Sequence, residues 1–154
     1  MVTATGTTNT LQGESALIFD GTNLGVGISP SYKLDVNGIT RLGTLLMETL
    51  TGITATAGAT TTLALGSDNY FAATASGAGT VTWALSGVAA SGLCQSFILE
   101  YTNGGSVTNS WFSGIKWPAG TAPTLSSSGV DLLGFITDDG GTNWRGVLLQ
   151  RASA

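Results

Sequence analysis

The chain of 154 residues has no histidine and a single cysteine, Cys94. These two absences remove whole classes of chemistry. One cysteine cannot form a disulfide framework within a chain, and without histidine there is no His/Cys zinc site. A Ser-His-Asp or Cys-His nucleophile is excluded for the same reason. Cys94, between Leu93 and Gln95, reads as a small buried hydrophobe rather than a reactive thiol. Charge is scarce as well. Only 9% of residues are charged, where about 25% is usual in soluble domains, while the mean hydropathy is +0.30. Such a surface is either rich in hydroxyls or covered by other chains. Threonine and serine supply the first in part, and subunit contacts are expected to supply the rest.

Long apolar runs are also missing. Residues 69–99 carry no charge, but Ser, Thr, Gly and Asn interrupt them throughout, so no span of about 20 apolar residues exists to cross a membrane. The start, Met1-Val2-Thr3-Ala4-Thr5, has neither a basic cluster nor an apolar core, and reads as no secretory signal. The five basic residues are scattered and the net charge is −4. A nucleic-acid partner needs a basic stripe, so none is expected.

What the chain does have is period-two alternation broken by turn residues. Phe97, Leu99 and Tyr101 share one face of a strand, and Asn103-Gly104-Gly105 predicts a fold-back after it. Leu133, Phe135 and Thr137 lead into Asp138-Asp139-Gly140-Gly141, and Trp144, Gly146 and Leu148 return, which predicts a second hairpin. Val81, Trp83 and Leu85 form another one-sided strand. Three of the four tryptophans lie at or beyond residue 111, so the core is expected in the C-terminal half.

Upstream, residues 1–13 are Thr/Gly-rich and cannot offset their ordering entropy alone, so this arm is expected to be held by a sister subunit or a larger assembly. Ala16 to Phe19 reads as a short strand and Asp20 to Asn23 as a turn. Leu24, Val26 and Ile28 alternate with glycines, Leu34 and Val36 alternate, and Asn37-Gly38 is a hairpin signal. These pieces are too short to bury a face alone, so Leu24, Val26, Ile28, Leu34 and Val36 are expected to pack the arm within an oligomer. Leu42, Leu45, Leu46 and Leu50 have helical spacing, but nearby Gly and Thr weaken a helix, and 45–66 reads as an extended connector. The organisation is thus an arm at 1–44, a connector at 45–66 and a head at 67–154. The head, with six to eight strands, is expected to be a β-sandwich of jelly-roll type. The fold class is all-β.

Two stretches carry a resemblance. Lys116-Trp117-Pro118-Ala119-Gly120-Thr121-Ala122-Pro123-Thr124-Leu125, followed by Phe135 through Gly146, resembles the "KWPxGTAPTL…F…TxDGGTxWxG" pattern of a C-terminal module in many bacteriophage fibre proteins. Leu24 through Gly38 resembles the "VGIGxxxPxxKLDVNG" unit of phage tail fibres and surface adhesins. The resemblance implies a virion protein, made in the host cytoplasm and displayed on the particle surface. In such fibres three chains wrap together, and each short strand finds its core in its neighbours. The implied function is a non-enzymatic homotrimeric fibre or knob, decorating capsid or tail, attached to other virion proteins through its N-terminal arm. The chain is short for a complete tail fibre, which favours capsid decoration. The alternatives are a carbohydrate-binding receptor module of a tail fibre and a small polysaccharide hydrolase.

Candidate chemistry is sparse. Gly21 through Gly27 lacks the Gly-Lys-Ser/Thr ending of a phosphate loop, so its glycines read as close-packing positions. Asp138 and Asp139 read as turn aspartates that cap their own backbone rather than as a glycosidase pair, and with Asn143 they do not match a calcium loop. No metal, cofactor or catalytic residue is assigned. Trp83 and Trp144 are expected in the core. Trp111 and Trp117, in a Ser/Gly/Pro-rich context, are the candidates to contact a host-surface glycan.

Overall fold

The computed structural model describes residues 2–5, 10–13, 16–41 and 50–153, with the backbone alone at 2–5, 10–13 and 153. The chain divides into two compact units, Met1–Leu46 and Met47–Ala154. Among the described residues every regular element longer than one helical turn is a strand, as the alternation predicts.

In the first unit, β1 (Val2–Thr5) pairs antiparallel with β2 (Thr10–Gly13). A separate three-stranded sheet joins β3 (Leu17–Phe19), β4 (Leu24–Val26) and β5 (Leu34–Val36), with β3 and β4 antiparallel and β4 and β5 parallel. The turn at Asp20 forms as expected: its Oδ1 accepts from the backbone N–H of Thr22 and of Asn23, and these bonds hold the carboxyl below its ordinary pKa. Gly25 is a close-packing position, but the neighbour is its own turn, because a side chain there would run into the Ile28 carbonyl. Asn37-Gly38 does not make a hairpin. The Asn37 N–H instead donates back to the Val26 carbonyl at 2.9 Å.

The second unit holds two sheets. One is six-stranded, in the order β12-β14-β13-β10-β8-β6, and the other is β11-β9-β7. The strands are β6 (Thr51–Thr56), β7 (Thr60–Ala64), β8 (Tyr70–Ser76), β9 (Thr80–Ser86), β10 (Ser91–Thr102), β11 (Thr108–Ser110), β12 (Ile115–Lys116), β13 (Val130–Asp139) and β14 (Trp144–Ser153). Successive strands from β6 to β11 alternate between the two sheets, and each lies parallel to the strand two before it. The chain therefore winds as a coil. Thr51 faces Phe71 and Thr60 faces Thr82, then Tyr70 faces Ile98 and Thr80 faces Thr108, a repeat of about 20 residues and then about 28. Tight turns at 57–59 and 77–79 use Gly58, Gly77 and Gly79 at positive φ (84°, 81° and 124°).

This winding differs from the jelly roll expected. Five of the seven strand pairings in the unit are parallel, and a jelly roll is antiparallel. Alternation is the same in both arrangements, which is why the sequence did not separate them. The fold-back at Asn103 is corrected too. Asn103 takes the positive φ (57°), but the chain passes through a one-turn 3₁₀ segment, Gly104–Ser106, and crosses to β11 in the other sheet. Gly104 and Gly105 are small for lack of space: a side chain at Gly104 would strike the Tyr101 ring, and one at Gly105 the Leu125 carbonyl. Residues 51–64, read as part of an extended connector, are extended but form β6 and β7 of these sheets; Leu42, Leu45 and Leu46 lie outside the described residues.

The coil closes with an antiparallel hairpin, β13 and β14, laid against β10. The core lies between the two sheets. Leu63, Phe71, Val81, Trp83, Phe97, Leu99, Tyr101, Leu133, Phe135 and Trp144 are all buried, as the alternation of β9, β10, β13 and β14 required. Phe97 and Phe135 face each other in register and their rings stack at 4.7 Å. Cys94, expected inside, is exposed. It lies in the register irregularity between Ser91 and Gln95, where the inward-outward alternation is broken.

Candidate functional site

Three places carry side chains that packing alone does not use. The first is the small sheet of the first unit. Its register sets Leu17 beside Val26, Phe19 beside Leu24, Leu24 beside Leu34 and Val26 beside Val36. Side chains paired in this way, and two residues apart along a strand, point to the same face. Six apolar residues thus share one face. Much of it is open: Phe19 is 55% exposed, Leu34 60% and Val26 38%. Of the five residues assigned to arm packing, Leu24, Val26, Leu34 and Val36 lie on this face. Ile28 lies beyond the end of β4 and is also exposed, at 40%.

The second place is an aromatic cluster with a groove beside it. Extending the β9–β11 register past Ser110 sets Trp111 next to Trp83, and their rings stack at 5.6 Å with 12° between planes. Trp83 donates from Nε1 to Asn109 Oδ1 (3.0 Å), and Asn109 Nδ2 donates to the Gly104 carbonyl (2.8 Å). Trp117 meets Trp111 edge-on at 5.7 Å and packs over Gly146, where an added Cβ would come within 2.8 Å of the ring. Both candidate tryptophans are half-buried. The structure brings them together, but gives them different positions. Trp111 lines a groove of about 260 Å³ between β11 and the loop at 122–125, whereas Trp117 is not among the residues that line it. Val107, Asn109, Pro123 and Thr124 complete the walls. Sequence reasoning did not single out these residues, although Asn109 shares the strand parity of Trp111.

The groove wall is fixed. Gly105 N–H donates to the Ser126 carbonyl at 2.8 Å, and Leu125 is buried beneath the loop. Asp131, fully buried, accepts from Ser126 N–H, Ser126 Oγ–H and Ala152 N–H at 2.6, 2.8 and 2.9 Å, tying that loop to the last strand.

The third place is the outer face of the six-stranded sheet. Ile98, Ile136, Val147 and Leu149 surround a shallow depression of about 300 Å³ over Gly134. Ile136, Val147 and Leu149 are 40%, 41% and 56% exposed. Nearby, Tyr70 donates its hydroxyl to Glu100 at 2.7 Å, which raises the phenol pKa.

The turn aspartates behave as turn chemistry. Asp139 accepts from Asn143 N–H (2.9 Å), Asn143 Nδ2 (2.8 Å) and Thr137 Oγ1 (2.9 Å), and the Asn143 backbone bond leads in lowering its pKa to about 2. Asp138 forms a 3.2 Å ion pair with Arg145 on the surface. Among the described residues no group of three His, Cys, Asp or Glu is placed to hold a metal ion, and no helix is long and apolar enough to cross a membrane. No protein-family model matches the chain, and no curated protein or solved structure is significantly similar to it.

Proposed function

We propose that the chain is a non-enzymatic structural component of a tailed-phage particle, a homotrimeric fibre or knob on the capsid or tail, held to other virion proteins by its N-terminal arm and displayed at the particle surface. The observation that carries the self-association is the six-residue apolar face of β3, β4 and β5. Three strands of three residues each cannot cover that face themselves. Fully burying a Leu, Val or Phe side chain is worth about 1.5–3 kcal/mol, so closing this face against sister copies supplies a real driving force. Copies related by a three-fold axis use heterologous contacts that close into a ring. The exposed Ile136, Val147 and Leu149 of the second unit add apolar surface that the same assembly would cover. The virion assignment is supported by the two sequence patterns, Leu24 through Gly38 and Lys116 through Gly146, while the charge content of 9% supports the self-association.

Sedimentation equilibrium and native mass spectrometry of the full chain test this reading. The expected species is a trimer of the 15.5 kDa chain, reduced to monomer by Leu34→Asp with the second unit still folded. A well-behaved monomer at micromolar concentration would remove the proposal. Density for the chain on intact particles would decide between capsid and tail.

A further inference from the structure

We propose that the groove lined by Trp111, between β11 and the loop at 122–125, is a subsite for one neutral saccharide unit. This inference goes beyond the assembly reading and does not depend on it. Its volume, about 260 Å³, lies just under the range of about 300–1,000 Å³ for drug-sized ligands, which suits a single ring better than a larger molecule.

Chemistry narrows the ligand further. No lining residue carries a charge, so neither a phosphate nor a carboxylate finds a counter-ion there. A nucleotide stacked on the ring would bring its phosphate into a groove with no lysine or arginine. The walls are mixed: Trp111, Val107 and Pro123 are apolar, while Thr124 and the loop backbone offer polar groups. Asn109, its amide N–H groups already donated to the Gly104 and Val107 carbonyls, keeps one acceptor lone pair on Oδ1. A purely aliphatic ligand would desolvate those groups without pairing them. A pyranose satisfies both halves, with weakly positive C–H bonds against the indole and hydroxyls toward the polar wall.

The subsite is also preorganised. Trp111 is held by stacking on Trp83, whose N–H is in turn held by Asn109, and Trp117 supports it from the edge. The opposite wall is stiffened by Pro123 and seated on Gly105, where no side chain fits. Little ordering remains to be done on binding, which preserves affinity for a small ligand. Trp117 is accordingly a positioning residue and not a second sugar platform.

The test is titration of the full-length protein by tryptophan fluorescence and calorimetry. The probes are methyl glycosides of glucose, galactose, rhamnose and N-acetylglucosamine, with glucuronate and hexanol as charged and apolar controls. At least one neutral glycoside is expected to bind. Ala122→Phe, at an exposed position on the groove wall, should weaken that binding at least about tenfold while leaving the circular dichroism and melting temperature unchanged. Trp111→Ala should abolish it, and the groove-filling variant keeps the test valid if that protein misfolds. Binding of hexanol or glucuronate alone, no neutral glycoside bound, or neutral binding indifferent to Ala122→Phe would each overturn the proposal. None of these outcomes depends on whether the protein is a trimer.

Discussion

The indoles of Trp83 and Trp111 lie nearly parallel, 5.6 Å apart between centroids, because they occupy equivalent places on successive turns of one coil. The pair is fixed through Asn109, which accepts from the Trp83 ring nitrogen at 3.0 Å. Trp83 is only 2% exposed, so its N–H has no water to turn to. Asn109→Ala should therefore cost about 1–3 kcal/mol, read as a lower urea midpoint with an altered tryptophan emission.

Asp131 is the buried acceptor that joins the loop at Ser126 to the strand end at Ala152. Replacing it by alanine leaves a buried Ser126 N–H unpaired and opens a small void. We expect Asp131→Ala to lose about 2–4 kcal/mol, and Ser126→Ala only about 1 kcal/mol. Amide exchange at Ala152 should speed up in the first variant and not in the second.

Asp139 gives the acid limb of stability a specific contributor. Its folded pKa is about 2 against an unfolded value of 3.8. A carboxyl depressed on folding stabilises fully above the unfolded value, and the contribution fades as pH falls through the folded one. The gap in urea midpoint between the native protein and Asp139→Asn should be constant near neutrality. It should narrow between pH 4 and pH 2.

At the alkaline end the group to watch is Tyr101. Burial pushes its phenol from 10.0 up to about 12, and its hydroxyl finds no hydrogen-bond partner among the described residues. A raised folded pKa supports the fold below the unfolded value and loses that support as pH rises through the folded one. Tyr101→Phe removes an unpaired buried hydroxyl, so at pH 7 it should be neutral or slightly stabilising. Above pH 10 the variant should lose less stability than the native protein, measured by denaturant titration at each pH.

Two glycines should respond in opposite ways to alanine. A Cβ at Gly105 meets the Leu125 backbone, which cannot swing aside, and the cost should be at least about 1–3 kcal/mol. At Gly52 in β6 an added Cβ meets nothing within 4 Å among the described residues, and alanine should stabilise by about 0.5 kcal/mol through lower unfolded-state entropy. Paired melting curves check both.

Inward and outward positions were legible because alternation reports burial directly. Phe97, Leu99 and Tyr101, and likewise Leu133, Phe135 and Thr137, all lie on the buried face. The closing hairpin was legible from its turn, where Gly140 and Gly141 take φ of 72° and 79°. Partner choice was not legible, since the same alternation suits a strand paired in either direction. That is why the coil was mistaken for a jelly roll. The groove escaped for a related reason: Trp111 was visible, but its neighbours Val107 and Thr124 meet only after the chain has crossed between sheets. Asp131 left a clue in its parity with Leu133 and Phe135, which placed a carboxylate on the inward face.

A sheet made by winding has no built-in number of strands. Each circuit from β6 to β11 lays one strand on each layer in a constant direction, with β6 and β7 as the outermost described strands at one margin. Inserting or deleting a full circuit would leave the closing hairpin of β13 and β14 untouched, so chains of this design can change length in discrete steps while keeping the same tip.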